Sequence, residues 1–198
     1  MSEERIPDTL VREFVIAGHG NLPRVKELLL QDPRLLNAAY PWSETDRETA
    51  IQGAAQVGSA PVAEFLLSSG APLDICTAAV LGRVEDVERF LKDDPDLIHA
   101  KGAHGIPLLP HAALSGRSDL VSMLVKRGAA EGASFALHNA VSRSHYDVAR
   151  WLLENASPDL GWKNYQGKTA LQTAVEQKDA HMEDLLRRHR RTRMESQS

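Results

Sequence analysis

The chain has 198 residues, one cysteine and a formal net charge of −4. A single cysteine excludes an internal disulfide framework and a cysteine-rich metal knuckle, which favours a reducing compartment. Aromatic residues make up 5% of the chain, and alanine and leucine are the main hydrophobic residues, so the composition favours packed helices over sheet.

The apolar runs and the charge bear on where the chain acts. The start is acidic, no apolar run has the length of a signal peptide, and no apolar stretch of 18 residues occurs. We therefore expect a soluble, cytoplasmic protein with no membrane attachment. The net negative charge makes nucleic acid an unfavourable partner.

A sequence pattern recurs along the chain: two small residues, then often a glycine, then an apolar pair. Its clearest copy is Ala54 and Ala55, Gly58, then Leu66 and Leu67. The small pair allows close helix packing, and the glycine ends the first helix without steric cost at positive φ. A second helix follows, with one apolar face. The six glycine-equivalent positions are Gly20, Gly58, Gly82, Gly116, Ser144 and Lys178.

Three segments, 48–55, 104–113 and 167–174, resemble the ankyrin signature G-x-T-P-L-H-x-A-A. The resemblance implies an all-α fold, an ankyrin-repeat solenoid of about six helix-turn-helix repeats with short β-hairpin-like fingers. We place a single domain at 1–193 and a disordered tail at 194–198. The predicted repeats are 6–38, 47–73, 74–103, 104–131, 132–165 and 166–191.

The chain departs from the family pattern in two ways. The intervals from Gly58 to Gly82 and from Gly116 to Ser144 are short, which predicts tight turns at 72–74 and 131–133. Fingers should remain at 37–48, 99–106 and 158–168. In addition, Gln52 and Gln172 replace the histidine of the signature, so some of the Thr–His hydrogen bonding expected in the family must be replaced or absent.

A second sequence motif, D-P-x-L-x-x-A, begins at Asp32 and at Asp94. Its proline should end the preceding helix. The phrase resembles a variant common in bacterial ankyrin-repeat proteins.

The resemblance implies a non-catalytic protein–protein interaction module or adaptor that binds its partner through the concave face and finger tips. Tryptophan and tyrosine dominate binding hot spots, although a finger aromatic can equally pack on its neighbouring finger. We expect a monomer that binds another protein. The candidate partner-binding residues are Tyr40, Trp42, Asp46, Arg47, Gln56, Lys101, His104, Ile106, Ser115, Arg143, Trp162, Lys163 and Tyr165.

The eight histidines raise an alternative, a metal- or histidine-dependent enzyme in which His99, His104 and His111 converge. No H-E-x-x-H or two-cysteine, two-histidine spacing supports it, and hydrogen-bonding histidines at repeat junctions are the competing interpretation. His19 is interpreted as part of a helix end, and Cys76 as a small buried hydrophobe at the start of an inner helix. We therefore expect no catalytic residue, no metal site and no cofactor.

Two further features suggest nucleotide or nucleic-acid binding. The segment 161–169 resembles a P-loop, but it has five residues between its glycines and follows a helix, so the motif fails. The arginines of 187–193 suggest a nucleic-acid adaptor. Their competing interpretation is that they complete the last helical turn, where cations interact favourably with the helix dipole.

Overall fold

A computed structural model describes residues 5–195, with side chains as far as residue 192. This part of the chain folds into paired helices, which confirms the predicted all-α, ankyrin-type class. No helix within it is both long and apolar enough to cross a membrane. The helices are α1 (Asp8–Gly18), α2 (Leu22–Gln31), α3 (Ala50–Val57), α4 (Ala60–Ser68), α5 (Ile75–Val80), α6 (Val84–Asp93), α7 (Leu108–Leu114), α8 (Ser118–Lys126), α9 (Ala133–Ser142), α10 (Tyr146–Asn155), α11 (Ala170–Glu176) and α12 (Ala180–Glu195).

The backbone between the two helices of each pair confirms the register of the repeat. All six glycine-equivalent positions have positive φ, including the two occupied by other residues, Ser144 at 54° and Lys178 at 59°. A left-handed residue at this point ends the first helix and lets the chain reverse. The residues divide into two compact units, 1–107 and 108–198, each with three of these helix pairs.

The first unit contains α1 to α6 and a two-stranded hairpin of β1 (Ala39–Pro41) and β2 (Arg47–Thr49). The strands are antiparallel, with Tyr40 opposite Glu48. The amide of Trp42 donates to the carbonyl of Asp46 at 2.9 Å and closes the hairpin. The largest fully buried apolar side chains of this unit are Phe14, Leu28, Leu35 and Leu66.

Side-chain caps account for the helix boundaries in the first unit. Asp32 and Asp94 each cap a 3-10 turn that begins at the following proline, so the proline ends the preceding helix as predicted. At the start of α3, Thr49 and Gln52 form a reciprocal capping box, and α11 begins with the same arrangement. The glutamine that replaces the family histidine therefore satisfies the helix start locally.

The predicted fingers differ in how much strand they contain. The first is the β1–β2 hairpin. The second is a single antiparallel bridge between Lys101 and Pro107 around a 3-10 turn, Ala103–Gly105. The third, at 158–168, has turns and no strand. Between α4 and α5 the link is short, and Asp74 caps α5 by accepting from the Thr77 amide at 2.6 Å.

The second unit contains α7 to α12, with α9 packed on α7 and α11. Its core includes the fully buried side chains of Leu109, Leu124 and Leu152. Helix α12 continues to Glu195, which covers the first two residues of the tail predicted to be disordered. Residues 196–198 lie outside the described residues, as does the side chain of Arg193.

Candidate functional site

The carboxylate of Glu48 is completely buried in the first unit, although it belongs to a short strand at a hairpin edge. Side chains alternate along a strand, so Glu48 points inward while its neighbour Arg47 is exposed. Its Oε2 accepts a hydrogen bond from the Trp42 indole at 2.7 Å. Its Oε1 makes no hydrogen bond, which leaves one buried carboxylate oxygen to be satisfied by a cationic neighbour.

His19 is that neighbour. Its Nε2 lies 3.2 Å from Glu48 Oε1 and 2.9 Å from Gln56 Oε1. Its Nδ1 is 3.0 Å from the carbonyl oxygen of Val15, one of the last acceptors of α1. Both ring nitrogens therefore face oxygen atoms. A neutral ring can donate from one nitrogen only, so both can donate at once only when the ring is protonated. Accordingly, the Glu48 carboxylate raises the pKa of His19 to about 9, against a smaller opposing effect of burial.

His104 approaches the same carboxylate from the second finger. Its Nε2 lies 3.6 Å from Glu48 Oε2, and its Nδ1 is 2.6 Å from Asp46 Oδ2. The backbone amide of His104 also donates to Asp46 Oδ1, at 3.4 Å. His104 is in the left-handed region at φ 56°, an uncommon conformation for a residue with a side chain. The contacts to Asp46 hold it there.

Beside the three side chains lies an open depression of about 350 Å³, lined by Ile16, His19, Trp42, Gln56 and His104. The rings of Trp42 and His104 are 6.2 Å apart. The side chains of His19 and His104 are 27% and 33% exposed, so both rings reach solvent while Glu48 does not. One atom each from His19, Glu48 and His104 lie within 4.8 Å of one another, a separation that a metal ion could bridge.

This group was not predicted from the sequence. Of the three histidines in the alternative interpretation, His104 lies in this group, together with His19 and Glu48. His99, which lies in the same unit, belongs to no such group among the described residues. His99 ends a 3-10 turn and is exposed, whereas His111 is buried in α7.

The other predicted residues of the first unit surround this group. Tyr40 packs edge-on against Trp42, with ring centroids 4.9 Å apart. Arg47 and Lys101 are exposed, and Ile106 is half-buried. The finger aromatics Tyr40 and Trp42 therefore pack locally, as the competing interpretation allowed.

In the second unit, the predicted aromatics divide into one packed and one exposed ring. Trp162 stacks on Phe135 at 5.3 Å and meets the edge of His138 at 5.8 Å. Tyr165 is 94% exposed. Lys163 and Arg143 are exposed as well, and Ser115 donates to the carbonyl of Ala112 within its own helix end. These residues remain predictions as partner contacts.

Two histidines outside the group confirm the structural interpretation of histidines at repeat junctions. His138 is nearly buried in α9, with Nε2 3.0 Å from Thr173 Oγ1 of α11. His145 Nε2 lies 3.1 Å from the carbonyl oxygen of Leu114, at the end of α7. Each joins one helix pair to the next.

The arginine-rich helix end is partly neutralised. Arg187 pairs with Glu183 and Arg188 with Asp184, each at 2.8 Å and one helical turn apart. Such pairs favour the interpretation of these arginines as part of a solvated helix surface.

Comparison with known proteins agrees with this architecture. A family model described as ankyrin repeats (3 copies) matches residues 75–161 and 109–194, together more than half of the chain. The chain belongs to the ankyrin-repeat family. An ankyrin repeat protein of fowlpox virus (strain NVSL) is 32% identical over 119 residues, covering 56% of this chain and 26% of that protein. The ankyrin-repeat chain thus matches about a quarter of the length of that relative.

Two relatives of more similar length come from Microplitis demolitor bracovirus (isolate Webb). The I-kappa-B like protein F1 is 29% identical over 126 residues, covering 59% of this chain and 77% of that protein. The I-kappa-B like protein C1 is 28% identical over 121 residues, covering 57% and 70%. Ankyrin repeats are protein-interaction modules, and these relatives are consistent with such a role.

Proposed function

We propose that this ankyrin-repeat chain is a non-catalytic adaptor that binds a partner protein through its finger tips, with Tyr165 as the main anchor. The observation that carries the proposal is the 94% exposure of the Tyr165 side chain. A tyrosine presented in this way can bury a large area on binding and still hydrogen-bond through its hydroxyl. Lys163 lies beside it in the same finger and supplies a positive charge.

The turn that presents Tyr165 is held by its own hydrogen bonds. Asn164 Oδ1 accepts from the amides of Gln166 and Lys168, both at 3.0 Å. The Asn164 amide donates to the Lys168 carbonyl at 2.9 Å, and the Gly167 amide donates to the Asn164 carbonyl at the same distance. A preorganised loop loses less conformational entropy on binding, which supports a role in recognition.

The finger is also fixed to the body of the second unit. Trp162 packs on Phe135 of α9, and the amide of Asp159 donates to Ser134 Oγ at 2.8 Å. Trp162 therefore acts as the base of the finger, and Tyr165 as its contact residue. Arg47 and Lys101 are exposed finger residues of the first unit and are proposed as partner contacts there.

The test is quantitative affinity enrichment with mass spectrometry, comparing the wild-type chain with Tyr165→Ala and with Leu30→Ala. Leu30 is a matched control because it is a large exposed side chain, 85% accessible, on α2. We expect at least one protein to be enriched by the wild type and by Leu30→Ala and lost, by about tenfold or more, with Tyr165→Ala. An enriched set that is identical for all three proteins contradicts the proposal.

We further propose that the adaptor is monomeric and acts in the cytoplasm. Its single cysteine, Cys76, is free and buried, which fits a reducing compartment. Light scattering coupled to gel filtration should give the mass of one chain, 21.8 kDa, across a tenfold range of concentration. A stable dimer mass contradicts the monomer.

A further inference from the structure

We infer that His19, Glu48 and His104 form a binding site for one divalent transition-metal ion of the zinc class. The three side chains come from three separate elements: the end of α1, strand β2 and the turn of the second finger. Two imidazoles and one carboxylate are a donor set that such ions bind strongly. The site is independent of Tyr165 and of the proposed adaptor function.

The orientation of the two rings supports coordination through Nε2. In each ring Nδ1 is already engaged, by the Val15 carbonyl for His19 and by the Asp46 carboxylate for His104. Metal-binding histidines in proteins have this second contact almost without exception, because it fixes the ring and its tautomer. Both Nε2 atoms are consequently the ones directed toward Glu48.

The burial of the Glu48 carboxylate also favours a bound cation. Glu48 is fully buried, and its Oε1 has no hydrogen-bond partner, whereas Oε2 is held by the Trp42 indole. An unsatisfied carboxylate oxygen in a protein interior is costly unless a cation lies next to it. The protonated His19 ring, with Nε2 3.2 Å from Oε1, is that cation in the chain alone. A metal ion held by Glu48 and the two rings would take the place of the His19 Nε2 proton.

The distances fit such an ion after a small adjustment. Ligand atoms around a tetrahedral zinc ion stand about 3.3 Å apart, given metal–ligand bonds of about 2.0 Å. The Glu48 oxygens are 3.2 Å from His19 Nε2 and 3.6 Å from His104 Nε2. The three ligand atoms lie within 4.8 Å of one another, so the two rings need to approach each other by at most about 1.5 Å.

Among the residues that the structure describes, three protein ligands converge here, and the remaining side of the group faces the open depression. Gln56 lines that side, with its amide oxygen 2.9 Å from His19 Nε2. A fourth position would therefore be open to water or to an external ligand, as in sites with three protein ligands. The ion would tie the β1–β2 hairpin to the second finger.

The test uses the full chain without an affinity tag, freed of metal by a chelator and equilibrated with Zn²⁺ by dialysis. We expect one bound zinc per chain by elemental analysis, visible absorption when Co²⁺ replaces zinc, and no competition from excess Mg²⁺, which prefers oxygen ligands. At a free zinc concentration 100-fold above Kd, the unfolding midpoint should rise by about 5–10 °C.

Four variants locate the ion. His104→Asn and Glu48→Gln should each weaken zinc binding at least tenfold, and Asp46→Ala should weaken it about tenfold through loss of ring orientation. His99→Ala, an exposed histidine from the preceding turn, should bind zinc as the wild type does. His104→Asn keeps a residue that tolerates the left-handed conformation, so it separates loss of a ligand from loss of the fold.

Less than one equivalent of zinc at saturation would overturn the inference. If His104→Asn and Glu48→Gln bound zinc as tightly as the wild type, the metal would lie elsewhere on the chain, and this result would also overturn the inference. Circular dichroism of each variant shows whether it is folded. Loss of partner binding in Tyr165→Ala with unchanged zinc binding would confirm that the two proposals stand separately.

Discussion

Gly53 lies against the imidazole of His19, so closely that a β-carbon added to Gly53 would be 2.7 Å from Cε1 and 2.9 Å from Nδ1 of that ring. Gly53 is in the middle of α3, where a glycine ordinarily costs a helix about 1 kcal/mol relative to alanine. The missing side chain provides the space that the histidine ring occupies.

Gly53→Ala should therefore destabilise the chain by about 1–3 kcal/mol, because the ring must leave its position against α3 and Glu48 loses its cationic neighbour. The free energy of unfolding in urea measures this. In a His19→Ala background the same substitution should instead stabilise the chain by up to about 1 kcal/mol, since only the helix propensity remains. A stabilising effect in both backgrounds would show that the ring does not fill this space.

The two glycine-equivalent repeat positions that are not occupied by glycine, Ser144 and Lys178, give a matched pair of stabilising substitutions. Lys178→Gly should raise the free energy of unfolding by about 0.5–1 kcal/mol, because glycine has no β-carbon to clash at φ 59°. Ser144→Gly should gain less, since the Ser144 hydroxyl donates to Asp179 Oδ2 at 2.7 Å and this bond is lost. The thermal unfolding midpoints of the two variants measure this difference. A larger increase for Ser144→Gly than for Lys178→Gly would contradict the prediction.

His138 should make stability fall at acidic pH. Burial lowers the pKa of His138 below its ordinary value of 6.5, so the unfolded chain takes up a proton more readily at this residue. The stabilisation that comes from keeping His138 neutral in the folded chain is fully present above pH 6.5. It is lost as the pH falls through the lowered pKa of the folded state.

The measurement compares the wild type with His138→Gln, which can still hydrogen-bond to Thr173, between pH 7.5 and 5. The stability of the wild type relative to the variant should decrease as the pH is lowered. A difference that is constant over this range would mean that His138 does not titrate differently in the folded and unfolded chains.

Cys76 should be unreactive in the folded chain. The thiol is buried at the start of α5, and burial, with a smaller effect of the Asp74 charge, raises its pKa to about 12. The thiolate is the reactive form, so at pH 8 a thiol reagent should label the native protein far more slowly than free glutathione. Labelling should become fast in denaturant. Rapid labelling without denaturant would contradict the burial of Cys76.

The repeat architecture could be predicted because each copy carries its own local signal. Small residues, a left-handed turn position and an apolar pair are all set by neighbouring positions in the sequence. Ser144 and Lys178 are not glycines, but their spacing from the apolar pairs that follow predicts the same turn position.

The histidine–carboxylate group could not be predicted in the same way. His19 and Asp46 are far from His104 in sequence, and the strand that turns Glu48 inward has only three residues, too short for an alternating pattern to be recognised. A usable signal was the glycine at position 53, inside a helix that otherwise favours alanine. It marks a place where another side chain comes close to the backbone.

The short link between α4 and α5 has a consequence for the first unit. A standard ankyrin link there would place another finger between the β1–β2 hairpin and the second finger, where Asp46 now meets His104. Because this link is short, the β1–β2 hairpin and the second finger lie next to each other, and Asp46 can contact His104. The length of this link therefore determines which side chains of the fingers meet.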